Sequence, residues 1–191
     1  DRTPKVADFG IVRAAEFMTM TAMGAVMGSP QYMSPEQCDA DPNDIDTRSD
    51  VYSLGVLLYE LLTGHTPFES QTLREAGLAG IQRIMREQLP PRQSTKLTSI
   101  DASDASQVAQ RRATNVDQLR GVLRKELEWI PLRALRKERN ERYASAKEMG
   151  DDVHRYLEGD ALEAGPESAN YRLRKLIKRN KGPVIAAAMI F

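Results

Sequence analysis

The chain contains a single cysteine, Cys38. No intramolecular disulfide can staple it, no cysteine-based metal site can form from that residue alone, and a reducing compartment fits the usage. Its two histidines, His65 and His154, are far apart and in no metal-ligand spacing, so both read as ordinary surface or half-buried side chains. Net charge is missing as well. Lys+Arg and Asp+Glu both number 27, which leaves no global field to draw the chain to nucleic acid or to an acidic substrate. The first residues, DRTPKVADFG, hold no apolar stretch resembling a signal peptide, and no internal repeat occurs. With 191 residues the chain is long enough to bury a core of ordinary domain size.

Charge is nevertheless uneven. Residues 36 to 50 carry Glu36, Asp39, Asp41, Asp44, Asp46 and Asp50 against Arg48 alone. Residues 171 to 181, YRLRKLIKRNK, hold six Lys/Arg and no acid, and the ten residues after them, GPVIAAAMIF, are uncharged. A spanning helix needs about 20 mostly apolar residues, so this stretch alone cannot cross a bilayer. A basic cluster before an apolar run matches the cytoplasmic flank of a membrane helix. We read 161–181 as a basic juxtamembrane segment and 182–191 as the start of a truncated transmembrane helix. The alternative is a basic amphipathic tail with an apolar end.

The rest reads mainly α. VYSLGVLLYELLT (51 to 63) is apolar on nearly every face, which predicts a helix buried all round, stopped by Gly64. Thr72 and Glu75 have capping-box spacing, ahead of a face formed by Leu73, Gly77, Ile81, Ile84 and Met85. Residues 89 to 107, rich in Ser, Thr, Asp and Pro without a period, predict an exposed, mobile insertion reaching to about 115. Residues 116 to 138 predict a helix with Leu119, Val122, Leu123, Leu127 and Ile130 inside and a break at Pro131. Ser145 with Glu148 forms a second capping box, followed by Met149, Val153, Tyr156 and Leu157 on one face and by Gly159 as the stop. Only KVADFGIV, near the start, alternates enough to suggest strands.

GSPQYMSPEQ (28 to 37) is the most particular stretch. Proline pushes the residue before it toward extended geometry. Ser34-Pro35-Glu36 also reads as a helix start, with Ser as N-cap, Pro at the first position and an acid in the first turn. Together these predict a rigid extended run that aims one glutamate into a short helix.

Asp8-Phe9-Gly10, then GSPQYMSPE, then DTRSDVYSLGVLLYELLTGHTPF and much later RNERY, in this order and spacing, resemble the C-terminal lobe of a bacterial eukaryotic-like (Hanks-type) serine/threonine protein kinase. ELEWIPLRALRKERNERY and SANYRLRKLIKRNK further resemble its membrane-anchored members. The resemblance implies the C-lobe of the protein-kinase fold over 1–160 (α+β in the complete domain), with the N-lobe absent. It implies ATP and Mg²⁺ as cofactors of the complete protein, and Asp8 as the metal-holding carboxylate, since Mg²⁺ takes hard oxygen ligands. Phe9 and Gly10 match the packing aromatic and the hinge of the nucleotide site. Residues 11 to 27 match the activation loop, where Thr19 and Thr21 are either phosphorylation sites or unmodified loop residues. Val26, Met27 and Met33 read as packing groups.

By the same resemblance Gly28, Ser29, Pro30 and Tyr32 form a substrate-docking wall. Ser29 stands where the family usually carries the threonine whose hydroxyl favours Ser/Thr acceptors. Glu36 is expected to pair with Arg142 and fix that wall, as a carboxylate and a guanidinium make two parallel hydrogen bonds. Asp50 is either a simple helix-start acid or the prop of the catalytic loop.

A kinase also needs a Gly-rich loop, a paired Lys and Glu and an HRD loop, and none occurs in these residues. The resemblance therefore implies a fragment that transfers no phosphoryl group alone. A bare cleft side around Val6, Phe9 and Ile11 would favour self-association. Two functions compete: a serine/threonine kinase acting on protein substrates from the cytoplasmic side of the membrane, and a non-catalytic, membrane-tethered interaction module. An unrelated helical adaptor is a weaker third. No nucleic-acid partner is expected.

Overall fold

The computed structural model describes residues 29–38 and 45–179, and the described residues contain helices and turns but no strand. A 3-10 turn, Pro30–Tyr32, leads into α1 (Pro35–Cys38). There follow α2 (Thr47–Thr63), α3 (Ser70–Glu87), α4 (Gln93–Ser99), α5 (Ala102–Gln110) and α6 (Val116–Val122). A π-helical segment, Leu123–Leu127, joins α6 to α7 (Trp129–Ala134). A 3-10 turn, Arg139–Glu141, precedes α8 (Ala146–Glu158) and α9 (Ala169–Arg179). The strand expectation over KVADFGIV lies outside the described residues, as does 182–191.

Helix α2 is the beam on which the rest is laid. Tyr52, Val56 and Tyr59 pack with Leu135 and half-buried Tyr32. Val51 and Leu58 pack with Ile130 and Ala134 of α7, with Tyr143, and with Met149 of α8. Leu62 meets Leu97 of α4, Val108 and Ala109 of α5, and Leu119 and Leu123 around α6. A fourth cluster, Cys38, Phe68, Leu73, Ile81, Ile84 and Met85, joins α1 to α3.

The start of α2 lies earlier than Asp50. Asp46 is the N-cap, accepting from the Arg48 N–H at 2.7 Å and holding the Arg48 side chain. Asp50 sits exposed in the first turn. Gly64 ends the helix with φ 77°, donating to the Glu60 carbonyl at 2.7 Å; this left-handed geometry suits glycine. The expectation of burial all round fails on one side. Leu54, Leu57 and Leu61 are exposed, and with Ala146, Met149, Gly150 and Val153 of α8 they line a shallow apolar groove. Composition says what a helix can bury, not what is packed against it.

Other expectations are also corrected. Residues 89–115 are not a mobile insertion throughout: 93–99 and 102–110 fold as α4 and α5, with Gln93, Ser94, Leu97, Ala105, Val108 and Ala109 buried. Several of their hydroxyls bond back into their own helices. Thr98 donates to the Thr95 carbonyl at 2.6 Å, Ser99 to Lys96 at 2.9 Å and Ser106 to Ala102 at 2.7 Å, so a polar composition coexists with helix. Helix α3 starts at Ser70 after Glu69, so Thr72 is not its cap. Gly77 interrupts α3 with φ 65° rather than packing inward. Pro131 breaks nothing, because it falls in the first turn of α7, where its missing N–H is not needed. The irregularity lies upstream, where the Glu128 N–H reaches the Leu123 carbonyl at 3.1 Å to close the π turn. Val122 and Leu157, expected inside, are 46% and 73% exposed.

The second capping box forms with its return bond displaced by one residue, to Ala144. The Ser145 hydroxyl accepts from the Glu148 N–H at 3.3 Å, and the Glu148 carboxylate accepts from the Ala144 N–H at 2.9 Å. Helices α2 and α7 come close together at Gly55, where a Cβ would lie 2.7 Å from Cβ of Ala134 and 3.3 Å from Cγ of Leu135. Gly55→Ala is therefore expected to destabilise the chain by about 1–3 kcal/mol through overpacking. Urea unfolding measures this, and an unchanged midpoint would contradict so close a contact.

Candidate functional site

The region to which the sequence points is the Ser29–Cys38 segment and what fastens it. Pro30–Tyr32 turns through bonds from the Tyr32 N–H to the Ser29 carbonyl (3.1 Å) and from the Met33 N–H to Pro30 (3.2 Å). Ser29 is exposed, whereas Pro30, Ser34, Pro35, Glu36 and Cys38 are buried. Gln37 completes the helix start, its amide oxygen accepting from the Ser34 N–H at 2.8 Å and the Ser34 hydroxyl at 3.1 Å.

Tyr32 ties this wall to α2 twice. Its carbonyl accepts from the Ser53 hydroxyl at 2.8 Å, and its phenol donates to the Glu60 carboxylate. That hydrogen bond, then burial and the Glu60 charge, push the phenol up to about 12. The Tyr32 side chain is thus committed to the lobe.

The main fastening is Arg142. All five guanidinium N–H groups have acceptors: Nε donates to the Arg136 carbonyl at 2.7 Å, one terminal nitrogen to Glu36 Oε1 at 2.7 Å and the Arg48 carbonyl at 3.0 Å, and the other to Glu36 Oε2 at 2.8 Å and the Lys137 carbonyl at 2.9 Å. The guanidinium also lies 5.1 Å from the Tyr52 ring centre. Glu36 takes a third bond from the Ser49 hydroxyl at 2.6 Å. Burial by itself would raise the Glu36 carboxyl. The hydrogen bonds from Arg142, Ser49 and its own backbone, with the Arg142 charge, outweigh it and hold the group down at about 2.

Asp8, Phe9, Gly10, Thr19, Thr21 and Gly28 lie outside the described residues. The structure brings Ser29, Pro30, Tyr32, Glu36 and Arg142 into one assembly and leaves Asp50 exposed at its edge. Among the described residues no group of three or more His, Cys, Asp or Glu side chains is placed to hold a metal ion.

Sequence reasoning missed several partners. Glu60 was a lone charge in an apolar run, which is a usable signal that something polar meets it. Glu128 is wholly buried, accepting from Arg92 at 2.9 Å and from the Ser94 hydroxyl at 2.7 Å and N–H at 3.3 Å. Asp152, also wholly buried, accepts from the Tyr143 hydroxyl at 2.8 Å and from the N–H groups of Glu163 and Ala164 at 2.7 and 2.8 Å. Asp152 follows Met149 by one helical turn, on the face predicted to be inside. Lys137 donates to the Met85 carbonyl and faces the Phe68 ring at 5.0 Å; burial, then the nearby Arg142 charge, brings its amine down to about 8.

Removing either partner of the buried fork strands the other. Glu36→Ala and Arg142→Ala are each expected to cost about 3–5 kcal/mol, with strong coupling in a double-mutant cycle, read by urea unfolding. Because folding lowers the Glu36 carboxyl from 4.5 to about 2, its contribution is complete above 4.5 and is lost as pH falls through that interval. Unfolding titrations at descending pH should show this loss in the parent chain and lack it in Glu36→Gln.

The protein kinase domain family matches residues 1–151. The chain is 36% identical over 161 residues to the serine/threonine-protein kinase PknB of Mycobacterium leprae, covering 84% of this chain and 21% of that protein. It is 39% identical over 151 residues to a probable serine/threonine-protein kinase of Corynebacterium efficiens, covering 78% and 19%. It is 54% identical over 68 residues to the serine/threonine-protein kinase PknL of Mycobacterium tuberculosis, covering 36% and 16%. The chain thus spans about a fifth of the length of the curated relatives it matches. With most of its length inside that family's domain and its helices arranged around the Glu36–Arg142 fork, the chain belongs to the protein kinase family.

Proposed function

We propose that the 191 residues are the docking lobe of a serine/threonine protein kinase, which in its complete form moves the γ-phosphoryl group of ATP to Ser and Thr hydroxyls of protein substrates. The observation that carries this is the buried Glu36–Arg142 fork, which fixes the Ser29–Glu36 wall to α2. Positioning is the main task of such a wall, because phosphoryl transfer depends chiefly on alignment and charge stabilisation.

In this reading Gly28 and Ser29 meet the substrate, the exposed Ser29 hydroxyl faces the acceptor side, and the buried Pro30 shapes the wall from within. Tyr32 braces the wall from behind. Asp8 would hold Mg²⁺ beside Phe9 and Gly10, and bound Mg²⁺ would supply charge neutralisation on the ATP phosphates. Thr19 and Thr21 are the candidate regulatory hydroxyls. Asp50 supports the edge of the site. The described residues bind and orient.

In this proposal the kinase portion lies on the cytoplasmic face of the cell membrane, a reading supported by the basic run 171–181 and the apolar run after it. Among the described residues no helix is long and apolar enough to cross a membrane. A second reading, a non-catalytic tethered module, draws on the apolar groove of Leu54, Leu57 and Leu61 beside α8, a surface able to seat another protein segment or a second copy.

An antibody against residues 89–118 identifies the protein in its own cells. The expected species is much larger than 21.4 kDa and, once isolated, phosphorylates Ser/Thr peptides with ATP and Mg²⁺, whereas its Asp8→Asn variant loses at least about a hundredfold. The 191-residue chain alone is expected to transfer nothing. A native species of only 21.4 kDa, or an Asp8→Asn variant of full activity, would overturn the kinase reading and favour the module.

A further inference from the structure

Among the described residues, helix α9 is fastened to the lobe by one face. The Tyr171 ring meets Trp129 edge-on, with centroids 5.6 Å apart, and its hydroxyl accepts from the Leu162 N–H at 3.1 Å. One turn on, Lys175 pairs with Glu126. Gly165 allows the approach, since a Cβ there would lie 2.9 Å from the Tyr171 ring. The turn that presents Leu162 is itself held by the buried Asp152 carboxylate through the Glu163 and Ala164 N–H groups. So α9 is docked at a defined orientation.

Its opposite face is apolar and, among the described residues, uncovered. Leu173, Leu176 and Ile177 are 53%, 52% and 43% exposed. At 3.6 residues per turn they point about 170° away from Tyr171 and Lys175. Arg172 and Arg174, both exposed, fall on the two borders between these faces. An apolar stripe bordered by arginines, on a segment without a single acid from 171 to 181, has the charge complement of an anionic lipid surface. The uncharged run 182–191 continues the same segment.

We propose that α9 lies flat on an anionic bilayer, with Leu173, Leu176 and Ile177 in the acyl boundary, Arg172 and Arg174 on lipid phosphates, and the lobe held above through Tyr171 and Lys175. This deepens the membrane attachment proposed above and rests on it. The bilayer contact then sets the orientation of the lobe as well as its location. A flexible leash would set the location alone.

The test uses the full 191-residue chain and vesicles of phosphatidylcholine with or without phosphatidylglycerol. Sedimentation should show binding to the anionic vesicles that weakens with salt. The triple variant L173S/L176S/I177S should bind at least about tenfold more weakly, while keeping the parent's circular dichroism and melting temperature because all three side chains are exposed. An environment-sensitive fluorophore on L176C, Cys38 being wholly buried, should shift to the blue with anionic vesicles. A triple variant that binds as tightly as the parent overturns the face-down helix and leaves the apolar tail as the anchor. Absence of binding to any vesicle overturns both the helix and the membrane attachment. A concentration-dependent blue shift without vesicles, with a dimer in sedimentation velocity, overturns the proposal in favour of a second copy covering the stripe.

Discussion

A buried guanidinium is tolerable only if nothing on it is left unsolvated, and the described fold is organised around meeting that condition for Arg142. Its five donors are matched by two carboxylate oxygens and three backbone carbonyls, contributed by α1, the first turn of α2 and the strip that follows α7. Each acceptor belongs to a segment that would otherwise be a loop or a helix end. Lysine could replace the charge but not the fork, since it has one nitrogen and no plane. The arrangement specifies where three segments meet more than it adds net stability, because desolvating both ions offsets much of their attraction.

The same device recurs at the far ends of the lobe. Glu128 gathers Arg92 and the start of α4, and Asp152 gathers Tyr143 and the turn that leads to α9. Each buried acid collects donors that an irregular segment could not satisfy alone. Between these nodes α2 runs as an apolar beam with Gly55 admitting α7 at contact distance. Such a lobe can hold the short Ser29–Tyr32 segment, exposed at Ser29 and buried at Pro30, with little freedom of its own, which suits the docking role proposed for it.

What was legible in the sequence was local. Ser34, Pro35 and Glu36 announce a helix start, Ser145 and Glu148 a cap, and Gly64 and Gly159 stops, because each depends on residues within one turn of one another. The inner faces of α3 and α8 were readable in part for the same reason. Burial was not. Leu54, Leu57 and Leu61 look like core residues, and Glu128 and Asp152 look like solvated charges, until the packing around them is known. The Ser/Thr-rich stretch of α4 misled because its hydroxyls bond inward instead of opposing the helix. Asp46 took the capping role because it stands immediately before Thr47, the first helical residue, four residues before Asp50. The pairing of Glu36 with a residue 106 positions away came from the resemblance; nothing local encodes it.

The proposed function rests on that long-range pair. If it fixes the wall, the wall's backbone should exchange its amide hydrogens slowly and should lose that protection when the fork is spoiled without removing the charge. The direct measurement is native-state hydrogen exchange across residues 29–38 in the parent chain and in Arg142→Lys. The account predicts that the amides of Tyr32, Met33 and Cys38 exchange much faster in the variant while those inside α8, capped independently by Ser145 and Gly159, keep their protection. Equal protection of the wall in both proteins would contradict the claim that Arg142 holds it in place.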